Sequence, residues 1–325
     1  MTTVLVTGGN GFLGSSVVAG LASTGHHVVS TDLAVPATGV AGVEHVVADV
    51  TSADSVERAF AGHDVDVVVH LASVVTPGRD SSREREHAVD VTGSRHVLDA
   101  CLRHGVRRVV VSSSGAAYGY HADNPEPLSE DDPVRGNEAF AYSHHKRLVE
   151  EMLADLRRDH PELEQVVLRI GTILGERVDN QITALFERPR LLKVRGAASP
   201  FVFVWDTDVV AVIEQAVTGS ATGVFNVAGD GVMTVDDIAA GLGKPTLSIP
   251  EPVLAMALRI GRRLGLTTYG PEQTMFLRYR PVLDNTRLKR VFGYTPTRTS
   301  AEAFSQWRAA RASTAPAADD GPRSA

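Results

Sequence analysis

The stretch that decides the fold is VLVTGGNGFLGSSVV, residues 4–18. An apolar run ends at Gly8, further glycines follow at Gly11 and Gly14, and an amphipathic run begins at Phe12. A strand, a glycine-rich turn and a helix in this order predict a backbone cradle for phosphate groups. Gly8 permits the tight turn, Gly11 lets N–H groups approach a pyrophosphate, and Gly14 allows close packing of helix on strand. The positive end of the helix dipole also attracts the negatively charged phosphates.

Outward from this stretch, valine-rich runs alternate with helical runs. The predicted strands cover 3–8, 27–32, 43–50, 65–73, 106–114 and 164–172, and the predicted helices cover 12–24, 53–62, 84–104 and 140–158. Runs that are apolar throughout suit strands buried on both faces. The alternation therefore predicts an α/β fold, a doubly wound parallel (Rossmann) sheet.

After residue 172 the alternation loosens, and the sequence predicts a division into lobes. Residues 1–172 form a dinucleotide-binding domain, to which 201–229 return, whereas 173–200 and 230–310 form a smaller, mostly helical substrate-binding lobe. The small, polar, proline-bearing tail 311–325 is predicted to be disordered.

Composition narrows the function classes. The chain has 325 residues, 43% of them hydrophobic and 22% charged, with a net charge of −7, which argues against a nucleic-acid binder. Cys101 is the only cysteine, so neither a disulfide framework nor a cysteine-rich zinc site is expected. With no signal-peptide pattern and no apolar run of membrane-spanning length, we expect a cytoplasmic protein that is not a membrane protein.

Asp32 supports a dinucleotide as the ligand of the glycine loop. It ends the second predicted strand, 18 residues after Gly14, near the distance expected for a carboxylate that bonds the ribose 2′-hydroxyl. The same carboxylate would repel a 2′-phosphate, and no arginine follows it in DLAVPA. The pattern therefore favours NAD over NADP. By itself, Asp32 could equally be a solvated strand end.

Two further strand ends carry candidate cofactor contacts. Asp49, in ADV, is either an acceptor for the adenine amino group or a cap for the helix that follows. In HLAS, residues 70–73, the small Ala72 and Ser73 would let a cofactor lie against the backbone, and His70 is interpreted as a packed strand histidine.

Tyr142 and Lys146 are the candidate acid–base pair. They are four residues apart in AYSHHKRLVEEML, so both project from one face of a helix. A neighbouring ammonium favours the phenolate form of a tyrosine, which can take a proton from a substrate hydroxyl. Ser114, at the end of the fifth strand, could donate to the substrate oxygen. Without this context, Tyr142 and Lys146 could simply be neighbours on an exposed helix surface. Between them, the adjacent His144 and His145 do not share a helix face, so no metal site is predicted.

Taken together, these motifs resemble the extended short-chain dehydrogenase/reductases, the NAD-dependent epimerase/dehydratase family. TGGNGFLG, Asp32, ADV, HLAS, SSSGAAYG and YSHHK occur in that family's order and spacing. The resemblance implies a catalytic triad of Ser114, Tyr142 and Lys146, with Lys146 also bonding the nicotinamide ribose. It implies that NAD is lined by Gly8, Gly11, Phe12, Leu13, Gly14, Asp32, Asp49, Val50, Leu71, Ala72, Ser73, Tyr142 and Lys146. It also implies a homodimer built on helices 84–104 and 140–158.

The departures from the family pattern bear on the substrate. Gly115 and Ala116 stand where 4,6-dehydratases carry an Asp-Glu pair, and Thr172 stands where nucleotide-sugar epimerases carry a diphosphate-binding asparagine. Asp90 replaces a helix asparagine of the family, which puts an asparagine-held water relay in doubt. The predicted substrate pocket comprises Val74, Val75, Gly115, Ala116, Thr172, Ile173, Phe203 and Trp205.

This pocket is mostly apolar, so it favours an uncharged secondary alcohol or ketone over a UDP-linked sugar. The basic residues that could reverse this prediction, or could simply be solvated, are Arg177, Arg188, Arg190, Lys193 and Arg195.

Two functional hypotheses from the family remain open at this point. One is an NAD-dependent dehydrogenase or reductase acting on a secondary alcohol or ketone, and the other is a UDP-hexose 4-epimerase that retains its NAD. A hypothesis of another class is a non-catalytic NAD-sensing module, which the presence of both Tyr142 and Lys146 disfavours.

Overall fold

The structure, a computed structural model, describes residues 2–76, 78, 81–267 and 269–314. Seven parallel strands form the main sheet: β1 (Thr3–Thr7), β2 (His27–Asp32), β3 (Glu44–Val47), β4 (Val67–His70), β5 (Arg108–Ser114), β6 (Glu164–Ile170) and β10 (Gly223–Val227). Their spatial order is β10-β6-β5-β4-β1-β2-β3. This is the strand order of a doubly wound sheet, and it confirms the predicted fold class.

Helices cover both faces of this sheet. They are α1 (Phe12–Ser23), α2 (Ala53–Phe60), α3 (Arg83–His87), α4 (Gly93–Arg103), α5 (Ala141–Asp159) and α7 (Asp206–Thr218). A π-helical turn, Ala88–Thr92, joins α3 to α4, and a 3₁₀ turn, Gly115–Tyr118, follows β5. One apolar core lies between the sheet and α1 and α7, and a second lies between the sheet and α2, α4 and α5. Because both faces are covered, strand residues such as Val4 and Val69 are 0% exposed.

The rest of the chain forms smaller elements beyond β6. They are β7 (Thr172–Leu174), α6 (Gln181–Glu187), β8 (Leu191–Val194), β9 (Phe203–Trp205), α8 (Val235–Leu242), β11 (Thr246–Ile249), α9 (Glu251–Arg263), α10 (Gln273–Arg278) and α11 (Ser300–Thr314). Strand β7 pairs with β9 and strand β8 pairs with β11, both in parallel. A third core of aromatic side chains, including Phe186, Phe304 and Trp307, holds these elements together. Among the described residues, no helix is long and apolar enough to cross a membrane.

The segment 201–229 returns to the main sheet through β10, where Gly223 pairs with Val166 of β6. The lobe boundaries stay a prediction.

The predicted disordered tail needs correction at its start, because α11 continues through Thr314. Arg311 donates to the Val178 carbonyl oxygen (2.9 Å) and pairs with Glu187 (3.2 Å), which holds this last turn on the body of the protein. Residues 315–325 of that tail lie outside the described residues.

A clasp joins the segment between Ser114 and Tyr142 to the C-terminal part of the chain. The Leu128 N–H donates to the Val282 carbonyl (2.7 Å), and the Asp284 N–H donates to the Leu128 carbonyl (2.8 Å). The Asn226 amide, at the end of β10, donates to the carbonyls of Leu128 (3.0 Å) and Asp284 (3.1 Å). Residues distant in sequence are thereby fixed at one point beside the carboxyl edge of the sheet.

Candidate active site

The glycine loop between β1 and α1 has the geometry that a phosphate cradle needs. Gly8 has φ +71°, and a Cβ there would lie 2.8 Å from the Ala72 backbone nitrogen. A Cβ on Gly14 would lie 2.0 Å from the Gly8 carbonyl oxygen, so the first turn of α1 packs directly on the loop. No side chain caps α1 at Gly11, and its first turn contains no acidic residue. The helix N-terminus therefore keeps N–H groups for an anion, and these residues fit the pyrophosphate of NAD.

Asp32 lies at the carboxyl end of β2, beside this loop. Its Oδ2 accepts a hydrogen bond from the Asn10 N–H (2.9 Å), and its Oδ1 accepts one from the Leu33 N–H (2.7 Å). Each carboxylate oxygen keeps further acceptor capacity. The backbone thus fixes Asp32 in place, and the carboxylate can still accept from a ribose hydroxyl.

We expect Asp32→Ala to weaken NAD binding about 10- to 100-fold, the cost of one hydrogen bond to a charged group, and to relax discrimination against NADP. Asp32→Asn keeps the shape and one acceptor but removes the charge that repels a 2′-phosphate, so we expect it to gain NADP affinity with a smaller loss for NAD. Calorimetric titration with both cofactors measures each change. An unchanged NAD-to-NADP preference in both variants would contradict the assignment.

Further predicted cofactor residues follow the ends of β3 and β4, and two more, Phe12 and Leu13, begin α1. Asp49 accepts from the N–H (2.9 Å) and the hydroxyl (2.7 Å) of Thr51, while Ser52 caps α2. The helix-cap interpretation of Asp49 is therefore wrong, because the cap position falls three residues later; its contact with adenine stays a prediction. Val50 is buried, and Leu71, Ala72 and Ser73 are half-buried at the edge where the glycine loop lies.

Tyr142 and Lys146 lie side by side in the first two turns of α5, as their spacing predicts. The Lys146 Nζ is 5.5 Å from the centre of the Tyr142 ring and donates to the Ser112 carbonyl oxygen (2.9 Å). Lys146 is 7% exposed, so its ammonium is held in a fixed, shielded position. In contrast, the Tyr142 hydroxyl has no hydrogen-bond partner among the described residues, which leaves it available to a substrate.

Ser114 ends β5 and is the first residue before the 3₁₀ turn. Its Oγ accepts a hydrogen bond from the Ala116 N–H (3.1 Å), so its own proton stays free to be donated. Ser112 and Ser113 point elsewhere: the Ser112 hydroxyl bonds the His70 carbonyl (3.4 Å), and the Ser113 hydroxyl bonds Glu150. Ser114 is therefore the serine of the three whose hydroxyl donates to no acceptor among the described residues, and its role at the site stays a prediction.

His70 is a packed histidine, as predicted. Its Nδ1 lies 2.7 Å from the Thr7 hydroxyl and its Nε2 lies 2.9 Å from the Ser94 hydroxyl. Burial, helped by the Lys146 ammonium, lowers the pKa of His70 to about 4. The ring is therefore neutral at pH 7 and adds no second positive charge beside Lys146.

Sequence reasoning missed a buried pair formed by Asp90 and His145. Asp90 lies in the π-helical turn, and its Oδ2 is 3.0 Å from His145 Nδ1 on α5. Its Oδ1 accepts from the Ser73 hydroxyl (2.9 Å) and the Val74 N–H (2.8 Å). Only the replacement of the family asparagine by Asp90 could have pointed to it.

A second buried network lies beneath the site. The Arg169 guanidinium on β6 donates to Glu150 on α5 through Nε (2.9 Å) and Nη2 (2.6 Å) and to the Tyr118 hydroxyl (2.7 Å). Tyr118 in turn donates to the Asn226 side chain (2.9 Å). Because Ser113 also bonds Glu150, the network fixes the carboxyl ends of β5 and β6 relative to α5.

Arg280 is a buried cation that sequence reasoning missed. Its guanidinium carbon lies 3.8 Å from the centre of the Phe201 ring and 4.4 Å from that of Phe276. Its Nε and Nη1 are buried and have no hydrogen-bond partner in the part of the chain that the structure describes. Burial lowers the pKa of Arg280 to about 9, which still leaves it cationic at neutral pH.

Arg280 belongs to the same region as the candidate acid–base pair. The Tyr120 ring lies 5.2 Å from Phe276 and 5.1 Å from Phe140, the residue that precedes α5. These aromatic contacts connect Arg280 to the turn of α5 that carries Tyr142.

Most of the predicted substrate pocket is at the carboxyl edge, but its aromatic part needs correction. Val74, Gly115, Ala116, Thr172 and Ile173 are half-buried or buried there, and Val75 is exposed. Phe203 and Trp205, however, are 0% and 3% exposed and belong to the third core. The Phe203 ring packs on Phe201, Phe186 and Phe304. The two residues are apolar because they fill this core, so they say nothing about a substrate.

Fold and site together define a class: an α/β protein with a doubly wound sheet, a glycine-rich loop that fits a dinucleotide, and a tyrosine–lysine pair on one helix. The sequence profile of the NAD dependent epimerase/dehydratase family matches residues 4–228. The chain belongs to this family. The predictions of family, of an NAD-dependent enzyme and of NAD as cofactor are thereby confirmed.

Three similar proteins show the range of the relatives. The uncharacterized protein Rv0501 of Mycobacterium tuberculosis (strain ATCC 25618 / H37Rv) is 25% identical over 94% of this chain and 82% of its own length. The UDP-glucose 4-epimerase of Azospirillum brasilense is 35% identical, over 53% of this chain and 49% of its own. The crystal structure of a short-chain dehydrogenase/reductase superfamily protein from Agrobacterium tumefaciens with bound NAD is 25% identical, with a TM-score of 0.72 over 96% of this chain and 97% of its own.

Proposed function

We propose that the protein catalyses NAD-dependent oxidation and reduction at a secondary alcohol or ketone, with Tyr142 as the acid–base residue. The observation that carries the proposal is the Tyr142–Lys146 pair, in which a shielded ammonium lies 5.5 Å from the phenol ring and the phenol hydroxyl has no partner among the described residues. A purely structural tyrosine at a half-buried site would be expected to bond its hydroxyl within the protein.

Each of the three residues has a distinct task in this proposal. Ser114 donates to the substrate oxygen and orients it. Tyr142 takes the proton of the substrate hydroxyl in oxidation and returns it in reduction. Lys146 stabilises the charged form of the phenol and would bond the nicotinamide ribose. Bound NAD supplies the hydride acceptor and donor. The glycine loop and Asp32 would hold its pyrophosphate and adenosine ribose.

A direct test is NADH formation by the purified protein against a panel of secondary alcohols, run beside UDP-sugar epimerisation. Cofactor content after purification separates the alternatives, because an epimerase needs its NAD back within each turnover and a dehydrogenase releases it. Turnover that survives in Tyr142→Phe would refute the assignment of the acid–base residue.

A second candidate function, the epimerisation of a nucleotide sugar, is favoured by Arg280. An unpaired buried cation costs several kcal/mol, so an anionic group of the substrate is the natural partner for it. This disagrees with the prediction of an uncharged substrate, which rested partly on Phe203 and Trp205. The other candidate cations give no such support. Lys193 pairs with Asp236 (2.5 Å), and the remaining four are exposed: Arg177, Arg188, Arg190 and Arg195.

We expect Arg280→Met to raise the stability of the ligand-free protein by about 1 kcal/mol or more, because a methionine keeps the contact with Phe201 and Phe276 and removes an unpaired buried charge. The same variant should bind UDP, or another phosphate- or carboxylate-bearing ligand, about 10- to 100-fold more weakly. Thermal unfolding and calorimetry with UDP measure the two effects.

The matched control is Arg188→Met, which removes an exposed arginine of the same lobe and should change neither property. A large loss of stability in Arg280→Met with unchanged UDP binding would make Arg280 a structural residue and return the preference to an uncharged substrate.

We further propose a homodimer in which α3, α4 and α5 of two subunits pack together, as the family resemblance implies. A monomeric mass in light scattering at micromolar concentration would contradict it. The cytoplasmic location stays a prediction.

A further inference from the structure

Asp90 is a buried carboxylate beside the candidate acid–base pair, and Lys146 is among the groups that interact with it. It is 3% exposed, and it bonds His145, which directly precedes Lys146 on α5. His145 is also three residues after Tyr142, so the two side chains are neighbours on the helix surface. His145 therefore links the Asp90 carboxylate to the part of α5 that carries the phenol.

The contacts of Asp90 keep it charged. Burial pushes its pKa upward, but the hydrogen bond with His145, the Lys146 ammonium and the donors from Val74 and Ser73 outweigh burial, so the pKa of Asp90 lies below its ordinary value. Lys146 is among the groups that lower the pKa of Asp90, so the carboxylate and the ammonium attract each other, and the Asp90 charge balances that of Lys146. With an asparagine at this position the cluster would carry one more positive charge.

We propose that Asp90 is a positioning residue that sets the protonation of Tyr142. By balancing the Lys146 ammonium, its charge keeps the Tyr142 phenol protonated to higher pH than an asparagine would. This favours Tyr142 as a proton donor, which is the form needed to reduce a ketone. The inference rests on the proposed function for its catalytic meaning, but the ionisation of Tyr142 can be measured without turnover.

The size of the effect follows from Coulomb's law. Two charges about 10 Å apart in a medium of effective dielectric constant of about 20 to 40 interact by about 1 kcal/mol. One pH unit corresponds to about 1.4 kcal/mol, so removal of the Asp90 charge should move the ionisation of Tyr142 by about half a pH unit to one unit.

Other ionisable side chains face the same cluster and are retained in an Asp90 variant; the Asp90 carboxylate raises the pKa of His70, so His70 stays neutral when that charge is removed. Lys146 and His145 face it from α5, His70 faces it from β4, His87 packs edge-on against His145 from α3 (5.4 Å between ring centres), and Tyr120 couples electrostatically to Tyr142 and to Arg280. The sign and size of the shift in the Tyr142 ionisation midpoint therefore measure the effect of Asp90, provided that the variant keeps its fold.

The test is the ionisation of Tyr142 in cofactor-free protein labelled with [ζ-¹³C]tyrosine. The chain has six tyrosines, and the Tyr142 signal is the one that Tyr142→Phe removes. In Asp90→Asn we expect the midpoint to fall by about half a pH unit to one unit, with circular dichroism confirming a native fold over the range. The acid limb of the oxidation rate should move by the same amount. An unchanged or raised midpoint overturns the inference.

Two controls separate charge from geometry. Asp155→Asn makes the same change at an exposed position of α5, 68% exposed and 3.2 Å from Arg158, and should not move the midpoint. Ser73→Ala removes one hydrogen bond from Asp90 and no charge, so a shift as large as that of Asp90→Asn would overturn the inference. If the midpoint shifts as expected but no secondary alcohol or sugar nucleotide is turned over, the inference stands and the proposed function fails.

Discussion

Tyr142→Phe is expected to lose about 10³-fold in turnover, since general acid–base catalysis by a positioned side chain contributes about 10²- to 10⁴-fold. Only the phenolic hydroxyl is removed, and among the described residues it bonds nothing. The fold and the NAD affinity should therefore stay nearly as they are. Steady-state kinetics with the best substrate of the alcohol and sugar-nucleotide panel measures the turnover, and titration with NAD measures the affinity.

The matched control is Tyr269→Phe, the same change at a tyrosine that is 56% exposed in the smaller lobe. It should leave the rate within a factor of two, a bound set by the small effect of surface substitutions. A loss of NAD binding in Tyr142→Phe that equals the loss of rate would mean that the tyrosine holds the cofactor instead of moving a proton.

The largest loss of stability is expected in Glu150→Ala. It would leave the Arg169 guanidinium buried at 6% exposure without its carboxylate, and breaking a buried ion pair by removing one partner costs about 3–5 kcal/mol. Denaturant unfolding measures the change. The rate should fall as well, because Glu150 also fixes Ser113, one residue before Ser114.

Glu151→Ala is the natural comparison, since it removes the adjacent carboxylate, which is 53% exposed and 3.5 Å from Arg147. An exposed pair one helical turn apart contributes about 0.3–0.5 kcal/mol. Glu150→Gln should lie between the two, because the amide keeps the shape and the bond to Ser113. Equal losses in Glu150→Ala and Glu151→Ala would mean that the buried network adds no stability.

The main sheet could be predicted because its cause is local. Strands such as Val67–His70, which begins with three consecutive valines, show their apolar pattern in a few adjacent residues. The glycine loop and the Tyr142–Lys146 spacing are local for the same reason. Each sets the relative positions of its residues within a short stretch of chain, so the sequence predicts their geometry directly.

The remaining features depend on partners far apart in the chain. Arg169 pairs with Glu150, 19 residues away, and Asp90 with His145, 55 residues away; neither partner is marked by any pattern around it. Phe203 was predicted to line the pocket because the sequence does not distinguish an aromatic side chain that faces a ligand from one that faces a core. Only the packing of α6 and α11 on β9 decides between the two.

The clasp at Leu128 places a condition on the order in which the site can be completed during synthesis. The segment between Ser114 and Tyr142 leaves the ribosome early, but Val282 and Asp284 are made more than 150 residues after Leu128. Until then the backbone groups of Leu128 that those residues bind remain open. Most strands of the nascent sheet can pair while this segment beside the carboxyl edge of the sheet waits for the end of the chain.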